Sequence, residues 1–572
     1  MVRGRAGWRG RARAAALVCL AITGVAAGAE VRLATCDVDA RLCPEATGLV
    51  HPHAPAEGTH DDFSGGVSVG DFNRDGWQDL FVVTGGGGPD RLYLNRGDGT
   101  FREAAERAGV AAVHRGHGSV VGDVDRDGWL DIFVTSFGPT AGGPAMAGHH
   151  LLWLNLGSRR GGVLADGTPL FRNIALPALA ATTSPEEPSG MGAAFGDYDR
   201  DGDLDLAVVA WLRDAAGSVL LNNQGIDEWT GLPRFLNATR RARLFDTDMH
   251  GFTPHIVDID GDRWPEVLVA ADFGTSRLYH NNGDGTFADA TAEARVGLDT
   301  NGMGSVLADV DNDGLLDWYV TSIWTTSPFE NPPNNGNYLY RNLGGLAFDP
   351  GPETPRPLAR GGWGWGAAAA DLDHDGLVEL VTTNGSEDRN TDERQEWLED
   401  ATRVFHNLGA DGFQDVAPEA GLDHRGQGRG LVRFDYDNDG DQDILIVNSR
   451  AVPTLVRNDG GTASGNWLWV ELRPAPGLPV PPDGVGAVVR VRTDGTTQTR
   501  HIETGGGYLG SSELSAHFGL GAAAVDEVRV EWPDGCDTAL YRVAVNRRLR
   551  LERPAGCTMT AVALDAAGLP SR

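Results

Sequence analysis

The sequence contains no lysine. All 48 basic residues are arginine, set against 80 acidic ones in 572 residues, and the net charge is −32. Without a lysine amine there is no Schiff-base chemistry, no pyridoxal-phosphate attachment and no Walker-type phosphate loop. With so little positive charge there is no basic surface for a nucleic-acid backbone. Cysteine is scarce, at 5 residues, and no CxxC spacing or adjacent histidine accompanies it, which argues against a thiolate metal site. Demanding catalytic spacings such as H-E-x-x-H or a nucleophile elbow are also missing. His51, His53 and His60 beside Asp61 and Asp62, and the His149-His150 pair, therefore read as surface histidines.

The one apolar run near the start is short. Arg3, Arg5, Arg9, Arg11 and Arg13 precede a mostly apolar stretch over residues 14–27, and Ala27-Gly28-Ala29 follows as a small-x-small site. This pattern predicts a secretory signal peptide over residues 1–29, cut before Glu30, with an uncleaved anchor as the alternative. No later run approaches the roughly 18 apolar residues of a membrane helix. The expected location is secreted or periplasmic, with no transmembrane segment after signal removal. Cys19 leaves with the signal, and Cys36, Cys43, Cys536 and Cys557 remain. Three pairings are possible. Cys36–Cys43 and Cys536–Cys557 are favoured because each closes a short loop.

What is abundant is glycine, 79 residues, and a nine-residue acidic pattern, D-x-D-x-D-G-x-x-D. The first copy offers Asp71, Asn73, Asp75 and Asp79 at positions one, three, five and nine; the second Asp123, Asp125, Asp127 and Asp131; the third Asp197, Asp199, Asp201 and Asp205. The fourth offers Asp258, Asp260, Asp262 and Glu266, with Arg263 where glycine is usual; the fifth Asp309, Asp311, Asp313 and Asp317. The sixth offers Asp371, Asp373, Asp375 and Glu379; the seventh Asp435, Asp437, Asp439 and Asp443.

Each copy sits in the same context. A short segment such as Val67-Ser68-Val69-Gly70 precedes it, and a β-branched run such as Leu80-Phe81-Val82-Val83 follows. Both flanks read as strands, so the acidic loop is a hairpin tip. The helices and position-twelve glutamate of an EF-hand are missing. A third segment ends in asparagine, as in Leu92-Tyr93-Leu94-Asn95, and a turn such as Gly97-Asp98-Gly99 leads to a fourth. Four-stranded units repeated seven times predict an all-β fold: a seven-bladed β-propeller over residues 64–460, followed by a small C-terminal β-domain over 461–553 and a tail over 554–572. An open solenoid is the structural rival and would need capping repeats. The seventh unit lacks a fourth segment. Residues 30–63 are expected to close it, because Pro44–Val50 resembles Ala105–Val110, which follows that strand in the first unit.

Calcium prefers six to eight hard oxygens. Positions one, three and five converge on one side of a tight loop, glycine at six permits the turn, and position nine adds a last carboxylate. About seven calcium ions are expected, mainly as pins for the hairpin tips, with regulation as the alternative and the fourth site the least regular.

These repeats resemble the FG-GAP or VCBS repeats of the integrin α-subunit propeller. The tail, with Gly465–Leu472, Gly484–Val491, Gly505-Gly506-Gly507-Tyr508-Leu509-Gly510-Ser511-Ser512 and Val528–Gly535, resembles an ASPIC/UnbV domain. Together they look like the cartilage acidic protein family, which implies an extracellular or periplasmic calcium-binding protein and no well-defined reaction. Pro481-Pro482-Asp483 departs from the family's Asn-Arg pair, so no role of that pair carries over.

If acidic loops join strands one and two, the loops joining strands two and three lie on the opposite face. Aromatic residues there suit carbohydrate or protein binding. Trp324, Phe329, Tyr338, Trp363, Trp365 and Trp397 are the candidates. The expected function is a secreted binding or adhesion protein with an extracellular carbohydrate or protein ligand. The alternative is a glycan lyase or hydrolase on the same scaffold, since two carboxylates suffice for that chemistry.

Overall fold

The computed structural model of the chain describes residues 31–36, 40–55, 61–138, 148–157, 161–181, 189–212, 217–245, 248–324, 335–349, 356–386, 397–553, 555–556 and 560–562. The expected signal peptide lies outside them.

Among the described residues there are seven four-stranded antiparallel sheets. Their first strands are Val67–Gly70, Gly116–Gly122, Gly190–Gly196, His250–Val257, Ser305–Ala308, Gly364–Ala370 and Gly428–Phe434. Each second strand begins at position nine of the acidic loop. The loop closes the hairpin in one register throughout: Gly70 faces Asp79, Val257 faces Glu266, and Phe434 faces Asp443. These strands read as apolar runs because both of their faces are buried. Leu80 and Val82 pack toward the seventh sheet, while Phe81 and Val83 pack toward the second. Every neighbouring pair of sheets shares such a core, the last with the first included. Fully burying one of these side chains is worth about 1.5–3 kcal/mol. The ring is closed, so this is a β-propeller and not a solenoid.

The seventh sheet takes its fourth strand from the N-terminal segment. Leu33 pairs with Asn458 and Ala34 with Arg457, antiparallel. The pairing residues lie upstream of the Pro44–Val50 stretch that drew attention in the sequence. Pro44–Thr47 instead forms the helical turn that follows the fourth strand, as Ala105–Ala108 and Ala417–Ala420 do. Gly48 ends that turn at φ 85°, where a Cβ would stand 2.4 Å from the Phe101 carbonyl oxygen. A Cys36–Cys43 disulfide ties the segment together. The other favoured pairing needs Cys557, which lies outside the described residues.

The C-terminal β-domain has its own core, built on Leu468, Val489, Phe518, Val530 and Trp532. Its strand Asn466–Pro474 pairs antiparallel with Ala516–Gly521 and parallel with Arg547–Arg553. Residues 504–511 leave this domain and run into the propeller axis. Ser511 bridges Ser68, Gly507 bridges Ser305, and the Ser119 amide donates to the Leu509 carbonyl.

Candidate functional site

All seven acidic loops share one hydrogen-bond scheme. The position-six amide donates to the position-one carboxylate, from Gly76 to Asp71 at 3.0 Å and from Gly440 to Asp435 at 3.0 Å. The position-seven amide donates to position five, from Trp77 to Asp75 at 3.0 Å and from Leu377 to Asp375 at 2.8 Å. The irregular fourth loop keeps the shape. Arg263 adopts the left-handed φ of 74° that glycine holds elsewhere, and its amide still donates to Asp258 at 2.9 Å. A side chain in that region costs roughly 1 kcal/mol.

Position nine does more than face the loop. The Asp79 carboxylate accepts from the Phe72 amide at 3.2 Å and from the Asn95 amide at 2.8 Å, and the equivalent pair recurs in all seven blades. The asparagine side chain then donates to the position-two carbonyl of the preceding blade. Asn155 reaches Phe72 and Asn458 reaches Leu372, while Asn95 reaches Tyr436 and completes the circle. The repeated asparagine seen in the sequence is thus an inter-blade bolt, a role its spacing did not reveal.

The loops crowd buried carboxylates against one another. Burial first, and then neighbouring carboxylates, push Asp123 and Asp197 up to about 7. Burial and the same repulsion hold Asp79, Asp131, Asp205 and Asp443 well above the usual range. Asp199 Oδ1, Asp371 Oδ1, Asp373 Oδ2 and Asp437 Oδ1 are buried acceptors with no hydrogen-bond partner. Such oxygens are costly unless something positive meets them. Asp123, Asp125 and Asp127 bring their oxygens within 4.8 Å of one another, as do Asp197, Asp199 and Asp205. The residues present therefore fit a divalent cation. In the first loop the Asn73 side-chain amide donates to Asp75 at 2.9 Å, leaving its oxygen toward the loop amides. In the fifth loop Arg341 adds a positive charge against Asp311 and Asp317.

The C-terminal domain covers this face. Arg126 donates to the Val480 carbonyl at 3.2 Å and Arg200 to Pro533 at 3.1 Å. The Gly519 amide donates to Asp371 at 2.9 Å, the Trp469 indole donates to the Gly440 carbonyl at 3.1 Å, and Arg548 pairs with Asp435 at 3.2 Å. Gly505–Gly507 enters the axis so that Tyr508 and Leu509 pack with Phe137, Met191, Phe252, Met303 and Trp365.

That packing corrects one ligand-face candidate. Trp365 is buried, donates to the Gly385 carbonyl at 2.8 Å, and carries the Arg429 guanidinium over its ring. It belongs to the axial core and is not presented to solvent. Trp363 and Trp397 are half-buried and meet edge to face, Trp324 stacks beneath Arg360, and Tyr338 lies on Tyr340. Phe329 lies outside the described residues. A second aromatic group escaped the sequence reading. Trp211, His250 and Phe273 meet beside Asp272, and Phe273 is 60% exposed at φ 55°. The Trp211 indole donates to Asp272, whose carboxyl is pushed by burial up to about 6. His150 is buried and caps the Ser136 amide at 2.9 Å, and His53 is buried against Ser64. Both are core histidines rather than the surface groups expected.

The FG-GAP-like repeat model matches residues 57–134, 258–320 and 326–382, and the ASPIC and UnbV model matches residues 477–558. The chain carries FG-GAP-like repeats and an ASPIC and UnbV domain. It is similar to cartilage acidic protein 1 of Mus musculus, 27% identical over 506 residues, covering 82% of this chain and 70% of that protein. The Homo sapiens protein of that name is 26% identical over the same length, covering 82% and 69%. The Xenopus tropicalis protein is 30% identical over 276 residues, covering 47% and 40%. Among solved structures, an Agrocybe aegerita lectin described as recognising non-reducing terminal N-acetylglucosamine aligns with a TM-score of 0.35 and 17% identity. It covers 69% of this chain and 94% of its own. At that score the likeness carries no argument about a ligand. In this FG-GAP protein, no helix among the described residues is long and apolar enough to cross a membrane.

Proposed function

We propose that this FG-GAP propeller is an exported, calcium-pinned binding protein that takes a carbohydrate or protein ligand on the face away from its acidic loops. One observation carries the reading. The ASPIC and UnbV domain occupies the acidic-loop face and the axis, so among the described residues the far end is left to the blade connections and to Phe63, which packs on Trp211 and Trp365. That end carries half-exposed aromatic groups around Trp211 and Phe273 and around Trp363 and Trp397. Phe273 is strained as well as exposed, and strain of this kind clusters at functional sites. Aromatic faces beside a carboxylate suit sugar rings or peptide side chains.

Calcium is supported by the hard-oxygen donor set and by buried carboxylate oxygens that lack partners,. When bound, the ion supplies positive charge that relieves carboxylate repulsion. The chain's own residues hold the hairpin tips and carry the covering domain. Export is supported by the Cys36–Cys43 disulfide together with the basic and apolar start of the chain,.

A glycan and protein array probed with and without chelator tests the reading. Binding to one ligand class that weakens in Phe273→Ala and Trp363→Ala, with unfolding temperature unchanged, is the expected result. New reducing or unsaturated ends in a polysaccharide panel would point to the glycan-cleaving alternative.

A further inference from the structure

Two of the seven loops differ from the rest in a correlated way. Position nine is glutamate only in loops four and six, as Glu266 and Glu379. In the same two blades the residue before the bolting asparagine is histidine, His280 and His406. The other five blades carry Leu94, Leu154, Asn222, Arg341 and Arg457 there. The longer glutamate arm and the imidazole meet. His406 Nδ1 lies 3.1 Å from Glu379 Oε1 and 3.8 Å from Asp373 Oδ2. His280 Nδ1 lies 3.0 Å from Glu266 Oε1 and 3.9 Å from Asp260 Oδ2. In each blade the three side chains bring one donor atom apiece within 4.8 Å of one another.

The aspartate's Oδ1 accepts from the position-five amide, Asp375 to Asp373 at 3.3 Å and Asp262 to Asp260 at 3.1 Å, and its Oδ2 is the oxygen near the histidine. In loop six that second oxygen is buried and unmet: Asp373 is 0% exposed and its Oδ2 has no hydrogen-bond partner. Asp371 Oδ1, in the same loop, is buried and also without a partner. Separations of 3.0–3.9 Å are within reach of ligands around one ion with bonds of about 2.0–2.6 Å, so donor chemistry and not spacing chooses the metal,. Imidazole nitrogen favours first-row transition ions, whereas all-oxygen loops favour calcium.

We propose that loops six and four are nitrogen–oxygen sites that take a first-row divalent cation of the zinc type, through His406, Glu379 and Asp373 and through His280, Glu266 and Asp260. This rests on the reading that the acidic loops bind cations. The ring then holds two classes of site, and the sixth lies directly beneath the ASPIC and UnbV domain, where the Gly519 amide meets Asp371.

The test uses the full chain, stripped with chelator and dialysed against a large excess of calcium with enough zinc or cobalt to fill both sites. Metal analysis should find about two zinc equivalents retained against calcium excess, and cobalt should show absorption bands shifted by nitrogen ligation. His406→Gln is the deciding variant. Its side-chain amide can still donate to Glu379 but offers no ring nitrogen. It should lose about one zinc equivalent and about half of the cobalt band intensity while keeping calcium content and unfolding temperature. Retention of both equivalents in His406→Gln and His280→Gln would overturn the proposal, as would complete displacement of zinc by calcium in the unmodified chain. If the unmodified chain binds neither calcium nor zinc, the underlying cation reading fails instead.

Discussion

The two faces of the ring are built by different rules. On one face, seven hairpin tips repeat the same amide-to-carboxylate bonds, and a second domain presses on them. On the other, the connections differ in length, and the aromatic groups around Trp211 and Trp363 have no counterpart in every blade. A loop that must hold a buried carboxylate cluster has little freedom, because each oxygen needs a partner. A loop facing solvent has no such constraint and can vary with its ligand. Regularity therefore marks the structural face and irregularity the candidate ligand face.

Chelation should break this contrast most strongly. Each loop saturated at about ten times its dissociation constant contributes about 1.4 kcal/mol, so emptying several should cost many kcal/mol. The unfolding temperature should fall by more than about 10 °C in scanning calorimetry. An unchanged transition would mean that the tips are not pinned by ions. The ion-free protein should also invert the usual pH response. Its carboxylates at Asp123, Asp197, Asp373 and Asp435 are raised to about 7 by burial and then by nearby charges. Their uncharged forms favour the folded state, so stability is fully present below about pH 4 and is lost as pH rises through about 7. Urea midpoints taken across that window with chelator should fall, and with calcium they should not.

Tyr508→Ala attacks the link between the two regions. Removing a buried aromatic from the axial core should cost about 3–5 kcal/mol. Hydrogen exchange should then rise along Val67–Gly70 and Gly116–Gly122, which the axial segment bridges. Exchange confined to the C-terminal domain would show the axis to be self-supporting. Asn155→Ala removes one inter-blade bolt and leaves the buried Phe72 carbonyl without its donor, at a cost of about 1–3 kcal/mol,. Equilibrium denaturation measures it, and a neutral result would mean that the apolar inter-blade cores alone hold the ring. Trp324→Ala on the far face should be the mildest, within about 1 kcal/mol of stability but with ligand affinity down several-fold. A large loss of stability there would mean that the far-face aromatics are packing groups.

Much of the ring was legible without coordinates. Alternation in Leu80-Phe81-Val82-Val83, the Gly76 turn and the spacing of Asp71, Asp75 and Asp79 are short-range signals, because strand period and loop closure act over a few residues. Trp365 misled because a tryptophan between glycines looks the same in sequence whether it faces solvent or an axis. The Phe273 group was invisible because Trp211 and Phe273 are contributed by different blades. His280 and His406 looked like ordinary third-strand residues, and only the fold set them against Glu266 and Glu379.

The sequence by itself determined the repeated unit, its acidic tip and its two-faced strands, since each is satisfied within one local segment. The tertiary structure alone decided how the ring closes, what fills its axis and which face the second domain covers. Those outcomes depend on partners far apart in the chain, such as Asn95 with Tyr436 and Tyr508 with Phe63. The reason is physical. A local hydrogen bond constrains its own loop, but only burial shared between distant segments selects which of them meet.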